Sequence, residues 1–424
     1  MDNIPKSFLY WFSGFTDAEG NFLISFNHGY VRFRFKISLH IDDIGTLYKI
    51  QNMLGFGRVV VERKTYFSYI VDKFDDIKLL LTIFKSFPLL TNKRLDYESF
   101  YKAIHIKKDS KVSISTAEKA EIIAIKQGMN RNRIKSSSNI MVNIVSINPN
   151  WLIGFIEGEG TFGIKALSSL YLQVAQKDTS KDVLNAIVKF FTSLSASEEL
   201  AKDRKILPLN VLSSRGVPPL HLYMKYINEG TSPRSPRGSS NNKRTNVISL
   251  VISSIDSLYY YILPYIDSCT MYTRKSVDYQ LWRAALLLKV HGYFFLPDGK
   301  ALFMDIANIL NKRYSTTSSL NTEKIISNIF SRLEAILSTT PPFKVKDSVP
   351  HINNVKAFSR LNGLNQQKTV YIYKNDKLIS GSPFISYLQA HLTLGLNSNS
   401  RACARYIDTG KLYKGIYLIT SVPK

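Results

Sequence analysis

Two glutamates, Glu19 and Glu159, each close a nine-residue stretch that occurs twice in the chain. The first stretch runs from Phe12 to Gly20 (FSGFTDAEG) and the second from Leu152 to Gly160 (LIGFIEGEG). We interpret each as the last turns of a helix that a glycine ends. Carboxylates at that end of a helix face the negative pole of its dipole, which costs roughly 0.3–1 kcal/mol each. A divalent cation such as Mg²⁺ would relieve their repulsion.

The small and apolar residues in these stretches predict that the two helices pack together. Ser7 is the predicted N-cap of the first helix, and Asn148 followed by Pro149 begins the second. At about 100° per residue, each apolar stripe ends in its glutamate. The predicted close contact is made by neighbouring small residues: Gly14, Ala18, Gly154 and Gly158. Two unrelated amphipathic helices are the alternative, which the matching context of the copies disfavours.

The composition points to a polyanionic partner. The 424 residues include 56 Lys and Arg against 32 Asp and Glu, a formal net charge of +24. Because this excess is spread along the chain, nucleic acid is favoured over a membrane surface, although a basic surface without a partner stays possible. The two cysteines lack zinc-ligand spacing. The apolar segment Val247 to Ile266 is predicted to be a strand and a helix rather than a membrane span.

Hydrophobic periodicity predicts a repeated half-domain of helix, strand, strand, helix, strand, strand, helix. A hairpin follows the first motif, and in its second strand apolar residues alternate with Arg32, Arg34 and Lys36, so one strand face is basic. Strands over 57–61 and 66–71 place Arg58, Arg63 and Lys64 in or beside a turn. Such a sheet face suits the DNA major groove. An ordinary solvent-exposed face is the alternative.

A second repeated segment extends the duplication beyond the motif. Thr91 to Tyr97 recurs as Thr273 to Tyr279, which aligns Lys93 with Lys275. Asp96 and Asp278, one helical turn later, are predicted to be structural partners or caps, and Asn130 and Asn311 follow at similar spacing. The chain is therefore interpreted as an internal duplication. The second copy is longer, and its excess includes a basic segment at 232–244 that is predicted to form a mobile loop.

The two motif stretches resemble the paired signature of the LAGLIDADG homing endonucleases, in the single-chain, two-repeat form found in organelle introns. Glu19 and Glu159 match the acidic position before the final glycine of that signature. The resemblance implies an α+β fold of two pseudo-symmetric half-domains packed through their motif helices. We expect these at 1–108 and 148–344, with a linker at 109–147 between them.

A C-terminal extension is expected at 345–424. A strand at 370–373, short helices at 383–391 and 400–407, and a closing hairpin at 410–419 are predicted there. The helices resemble the small helix-turn-helix-like modules appended to intron-encoded nucleases. A packing extension of the second half is the alternative.

The family resemblance implies a metal-dependent, site-specific endonuclease that cuts double-stranded DNA. Glu19 and Glu159 would hold Mg²⁺ or Mn²⁺, with the carbonyls of Ala18 and Gly158 as further ligands. Lys93 and Lys275 would stabilise charge at the scissile phosphates, or act only as phosphate clamps. The predicted DNA contacts come from basic and amide side chains: Arg32, Arg34, Lys36, Arg58, Arg63, Lys64, Lys165, Gln173 and Gln176.

Other functions remain open at this level. The same resemblance includes maturases, which bind their own intron RNA and assist its splicing, with or without DNA cleavage. A DNA-binding protein that no longer cleaves is a third interpretation. We expect a monomer that needs no membrane. Because residues 1–7 resemble neither a transit peptide nor a secretory signal, we expect synthesis inside the mitochondrion.

Overall fold

The computed structural model describes two compact units. The described residues are 4–27, 30–107, 114–130, 146–203, 219–228, 246–311, 322–340, 343–346, 349–352, 369–384, 386–396, 400 and 402–424. One unit comprises Met1–His291 and Ala301–Thr339, and the other comprises Gly292–Lys300 and Thr340–Lys424. Part of the predicted linker and the whole segment 232–244 lie outside the described residues. The domain boundaries given above stay predictions.

The first half of the larger unit has the predicted order of elements. They are α1 (Lys6–Glu19), β1 (Gly20–Asn27), β2 (Tyr30–His40), α2 (Ile44–Leu54), β3 (Arg58–Arg63), β4 (Tyr66–Val71), α3 (Phe74–Ser86) and α4 (Lys93–Lys107), with α5 (Thr116–Gln127) after them. The four strands form an antiparallel sheet in the order β1-β2-β4-β3. Alternation along β2 buries Val31, Phe33, Phe35 and Ile37.

The second half repeats this arrangement. Its elements are α6 (Pro149–Glu159), β5 (Gly160–Lys165), β6 (Ser169–Lys177), α7 (Lys181–Thr192), α8 (Glu198–Asp203), β7 (Tyr223–Asn228), β8 (Asn246–Ile252), α9 (Ile255–Ser257), a π-helix (Leu258–Ile262), α10 (Leu263–Asp267) and α11 (Lys275–Val290). The sheet order β5-β6-β8-β7 matches that of the first half. The register matches too, because Gly20 pairs with Ile37 as Gly160 pairs with Val174. The predicted α+β duplication is therefore confirmed.

The two motif helices begin differently and end alike. Ser7 lies inside α1, which begins at Lys6 after Pro5, so its predicted N-cap role is wrong; the extended backbone of Pro5 starts the helix instead. The Asn148 cap of α6 is confirmed, because its side chain accepts from the backbone N–H of Asn150 at 2.9 Å.

Gly20 and Gly160 end these helices in an extended conformation. A Cβ at Gly20 would lie 2.8 Å from the carbonyl oxygen of Thr16, and one at Gly160 would lie 2.6 Å from that of Ile156. These positions therefore lack room for a side chain.

The remaining elements follow in chain order: α12 (Pro297–Ile309), α13 (Thr322–Ser338), β9 (Phe343–Lys346), β10 (Val349–Ile352), β11 (Tyr371–Lys374), β12 (Lys377–Leu378), α14 (Tyr387–Thr393), α15 (Ala402–Tyr406) and β13 (Tyr417–Thr420). Strand β13 pairs with β11, placing Ile419 opposite Ile372. The predicted hairpin over 410–419 is confirmed as a short antiparallel bridge between Tyr413 and Tyr417. Beyond this bridge β13 pairs with β11, and Ile419 lies in the core of the smaller unit. The strand near 370–373 and both short helices are confirmed.

The apolar segment 247–266 forms β8 and the helices that follow it, as predicted. Across the described ranges, every helix is too short or too polar to cross a membrane.

Candidate metal centre and nucleic-acid interface

The motif helices α1 and α6 meet with almost no space between their backbones. A Cβ added at Gly14 would lie 1.9 Å from the carbonyl oxygen of Trp151, and one at Gly154 would lie 2.2 Å from that of Trp11. One turn later, a Cβ at Gly158 would lie 2.1 Å from the Cβ of Ala18. The small residues thus lie at the contact, and the C-terminal ends of both helices come together.

Glu19 and Glu159 are the last residues of these helices. The side chains of both reach solvent. Even so, protein atoms crowd the carboxyl group of Glu19, and this loss of hydration raises its pKa. The negative charge of Glu159 raises that pKa further, while Lys93 and Lys275 act in the opposite direction. The two carboxyl groups are therefore close enough to repel each other.

Each predicted lysine lies at the end of the motif helix in its own half. The Nζ of Lys93 donates to the carbonyl oxygens of Gly20 at 2.5 Å and Ala18 at 3.3 Å. The Nζ of Lys275 donates to those of Gly160 at 2.5 Å and Gly158 at 3.4 Å. Burial lowers the pKa of Lys93. Both ammonium groups offset the negative helix ends, and both contact carbonyls that were predicted to be metal ligands.

Sequence reasoning missed a buried carboxylate in the first motif. Asp17 accepts from the backbone N–H groups of Leu90 at 2.7 Å and Thr91 at 3.0 Å, and from the indole Nε1 of Trp151 at 3.0 Å. Burial raises its pKa, against the effect of these donors. Because Thr91 comes just before the start of α4, Asp17 fixes the position from which Lys93 extends.

The second motif contains the same arrangement with the halves exchanged. Glu157 accepts from the backbone N–H groups of Tyr272 at 2.9 Å and Thr273 at 2.6 Å, and from the indole of Trp11. Burial raises its pKa as well. The start of each helix that begins with a lysine, α4 or α11, is thus held by a carboxylate. That carboxylate also accepts a hydrogen bond from a tryptophan of the other half. The signal was present in the sequence, since both motifs have an acid two residues before the final glutamate.

Two further carboxylates have the predicted structural role. The backbone N–H of Asn130 donates to Asp96 at 2.9 Å, and that of Asn311 donates to Asp278 at 3.4 Å. Both asparagines adopt positive φ angles of 56° and 60°. Their side chains donate to the carbonyl oxygens at Phe22 and Phe162, which tie each segment to the first strand of its sheet.

The outer face of the first sheet carries most of the predicted cations. Arg32, Arg34 and Lys36 alternate with buried residues on β2, Arg58 lies on β3, and Arg63 and Lys64 end β3 and begin the turn. Several of these cations have carboxylate partners. Lys36 contacts Glu62 at 2.5 Å, and Asp72 accepts from both Arg58, at 2.7 Å, and Arg34, at 3.5 Å.

The outer face of the second sheet differs. Lys165 and Gln173 lie on it, and Gln173 donates to the hydroxyl of Ser249 at 3.3 Å. Gln176 does not share this face, because it follows the alternation of the buried residues Leu172 and Val174. Residues three apart on a strand point to opposite faces, so Gln173 and Gln176 cannot contact DNA from the same side of the sheet, and the DNA contact of Gln176 stays a prediction.

The oxygen atoms at the helix ends suit a small divalent cation, which prefers carboxylate and carbonyl ligands. Among the described residues, no group of three or more His, Cys, Asp or Glu side chains is arranged so that it could hold a metal ion. A metal at this place would therefore depend on Glu19, Glu159 and backbone carbonyls. An open depression of about 740 Å³ gives access to Glu19, with Lys93, Lys126 and Lys177 on its walls.

Comparison with known proteins identifies a family domain in the first half of the larger unit. Residues 12–104 match the family model of the LAGLIDADG endonucleases. The LAGLIDADG homing endonuclease I-GzeII, solved in complex with its DNA target, has a similar fold, with a TM-score of 0.56 and 22% identity over 72% of this chain and 99% of that one. I-SmaMI, bound to uncleaved DNA in the presence of calcium ions, has a TM-score of 0.53 and 17% identity.

Two relatives by sequence are a mitochondrial protein and a probable intron-encoded endonuclease. The uncharacterized mitochondrial protein RF1 of Saccharomyces cerevisiae is 27% identical over the whole of this chain and 82% of its own length. The probable intron-encoded endonuclease Cox1-I1b of Schizosaccharomyces pombe is 34% identical over 37% of this chain. The match spans only 41% of that relative's length.

Proposed function

We propose that this protein is a LAGLIDADG homing endonuclease that cleaves both strands of a specific double-stranded DNA site. The observation that carries the proposal is the pair of glutamates, Glu19 and Glu159, at the joined ends of two helices. Each glutamate lies beside a lysine that contacts the carbonyl groups at the same helix end. Such duplicated chemistry suits a reaction that must occur twice, once on each strand.

Glu19, Glu159 and the carbonyls of Ala18 and Gly158 are the groups that would hold Mg²⁺ or Mn²⁺. When bound, such an ion activates water and neutralises phosphate charge. Lys93 and Lys275 would stabilise the negative charge that develops on the phosphates. The reciprocal contacts of Asp17 and Glu157 fix the starts of the lysine helices and so restrict the positions of both ammonium groups.

The outer faces of the two sheets would lie along the DNA. Arg32, Arg34, Lys36 and Arg58 supply cations from the first half, and Lys165 and Gln173 supply polar groups from the second. An antiparallel pair of strands fits the major groove. Because the two halves are joined in one chain, the protein would bind as a monomer to a site that is only roughly palindromic. Its fungal relatives favour action in the mitochondrion.

The test uses a supercoiled plasmid that carries the joined sequences flanking the intron of this reading frame. With Mg²⁺, the wild-type chain should linearise the plasmid. The double variant Glu19→Gln/Glu159→Gln should leave it supercoiled while it still binds the DNA. Linearisation by that variant would refute the assignment of the glutamates.

An RNA maturase is the rival function that the family resemblance implies, and RF1, a relative that aligns over the whole of this chain, is uncharacterized and so does not decide between the two. Splicing of the intron in the presence of the same double variant separates the two. A maturase alone would be indifferent to the loss of both carboxylates and would leave the plasmid intact even as wild type.

A further inference from the structure

A carboxylate on β3 lies on the face of the first sheet that carries the cations, beside a β-bulge. The pairing of β3 with β4 is regular from Arg58 to Val61 and then shifts before Arg63. Glu62 is therefore left without a partner residue on β4. Glu62 lies four residues after Arg58 on the same strand, so strand alternation places both side chains on the outer face of the sheet.

Three donors on β2 and β4 hold the carboxylate of Glu62. It accepts from the Nζ of Lys36 at 2.5 Å, the hydroxyl of Ser38 at 3.0 Å and the hydroxyl of Ser68 at 2.6 Å. Lys36 and the serine donors lower the pKa of Glu62 to about 2, so the group is ionised at neutral pH. Glu62 is thus a fixed negative charge within a surface that is otherwise basic.

Stability alone does not account for this arrangement. Exposed ion pairs contribute little to folding, and Glu62 lies where a carboxylate would repel DNA phosphates. A negative charge that weakens binding to DNA in general is useful where it makes the protein distinguish one base sequence from another.

The donor and acceptor positions that Lys36 and Glu62 leave unused indicate which ligand the two side chains could bind together. An ammonium group has three N–H donors, so Lys36 keeps two after its contact with Glu62. A carboxylate has about four acceptor positions, so Glu62 keeps one. In the major groove a G·C pair presents the O6 and N7 acceptors of guanine beside the N4 amino donor of cytosine, the groups that lysine and glutamate favour. We propose that Lys36 and Glu62 together read a G·C base pair in the half-site bound by the first half.

Among the described residues of the second half, no ion pair corresponds to that of Lys36 with Glu62. The shared register places Gln173 at the position of Lys36 and Ala175 at that of Ser38. The pairing of β7 with β8 runs without a shift from Tyr223 to Asn228. The reading of G·C by an ion pair should therefore be confined to one half-site.

The experiment selects binding sites for the full chain from a pool of randomised duplex DNA in buffer containing Ca²⁺. The wild-type protein should enrich one site with a G·C pair at a defined position of one half. Glu62→Gln and Lys36→Met should each lose the preference at that position by about tenfold and keep the others. Glu98→Gln removes an exposed carboxylate that pairs with Arg94 on α4, and this matched control should retain every preference.

The inference rests on the proposed DNA-binding function, and the outcomes separate the two. If Glu62→Gln and Lys36→Met select the wild-type site with unchanged preferences, the inference is overturned and the proposed function stands. If the wild-type chain enriches no site, both fail. A thermal melt of Glu62→Gln that matches the wild type excludes misfolding as the cause of a changed preference.

Discussion

At the motif helices the two halves of the larger unit are near copies, whereas their sheets present different chemistry to solvent. Gly14 and Gly154 each contact the opposite backbone, and Lys93 and Lys275 each contact the carbonyls of their own helix end. On the sheets, the shared register aligns three cations of the first half with three neutral residues of the second: Arg32, Arg34 and Lys36 with Ser169, Tyr171 and Gln173.

The contrast shows where a duplicated chain can diverge. Side chains at the helix contact face the other half, so a change in one copy must be accommodated by its partner. Ala18 opposite Gly158 illustrates this, because the space for one Cβ exists only where the other is absent. Outer sheet residues face solvent and lack that constraint. The structure therefore combines a symmetric contact between helices with sheet faces that differ in charge.

The largest effect is expected from adding a methyl group at the helix contact. Gly158→Ala places a Cβ 2.1 Å from that of Ala18 and should lower the free energy of unfolding by about 1–3 kcal/mol, measured by urea denaturation. Ala18→Gly in the same chain should restore most of the loss. It should not rescue Gly154→Ala, whose Cβ meets the backbone of Trp11. The close contact would be contradicted if Gly158→Ala, its combination with Ala18→Gly, and Gly154→Ala with Ala18→Gly all kept the wild-type free energy of unfolding.

An effect of similar size is expected at Trp11 and Trp151, whose indoles donate to the buried carboxylates of the opposite half. Trp11→Phe removes a donor to buried Glu157, and Trp151→Phe removes one to buried Asp17, so each should cost about 1–3 kcal/mol of unfolding free energy. In a double-mutant cycle, the cost of Trp11→Phe should shrink when Glu157→Gln is already present. Trp282→Phe is the control, because its buried indole N–H has no partner among the described residues. Similar coupling of Glu157 to Trp282 would argue against the specific contact.

A smaller effect follows from the raised pKa of Glu19. The folded protein holds this proton more tightly than the unfolded chain does, so wild-type stability should fall as the pH rises above the ordinary value of 4.5. The variant Glu19→Gln has no ionisable group at this position and so does not lose stability in this way as the pH rises. Without divalent metal, its melting temperature should therefore rise relative to the wild type between acidic and neutral pH. A constant difference across that range would indicate that Glu19 titrates normally.

The smallest effect distinguishes the two sheets. Arg32 is exposed and has no carboxylate partner among the described residues, so it is free to contact a phosphate. Arg32→Met should reduce the slope of log binding constant against log salt concentration by about one. Ser169→Ala, at the equivalent position of the second half, should leave the slope unchanged. Equal slopes for the two variants would remove the proposed asymmetry in charge.

Much of the fold followed from local patterns in the sequence. The four-residue spacing of small residues predicted the helix contact, and the repeated glycines predicted where both helices end. The hydrogen bonds of Asp17 and Glu157 could not be predicted from local patterns. Asp17 contacts Leu90 and Thr91 only because the folded chain returns to α1. The donors that hold Glu62 lie on two other strands, so the pattern along β3 does not reveal them. That Gln173 and Gln176 point to opposite faces follows from their spacing alone.

The central claim is that Glu19 and Glu159 form one centre that cleaves two strands. Strand-resolved cleavage of a labelled target duplex by the single variants tests it most directly. Glu19→Gln should lose cleavage of at least one strand by about 100-fold or more, and Glu159→Gln should show the complementary pattern on the other strand. Unimpaired cleavage of both strands by either variant would contradict the account.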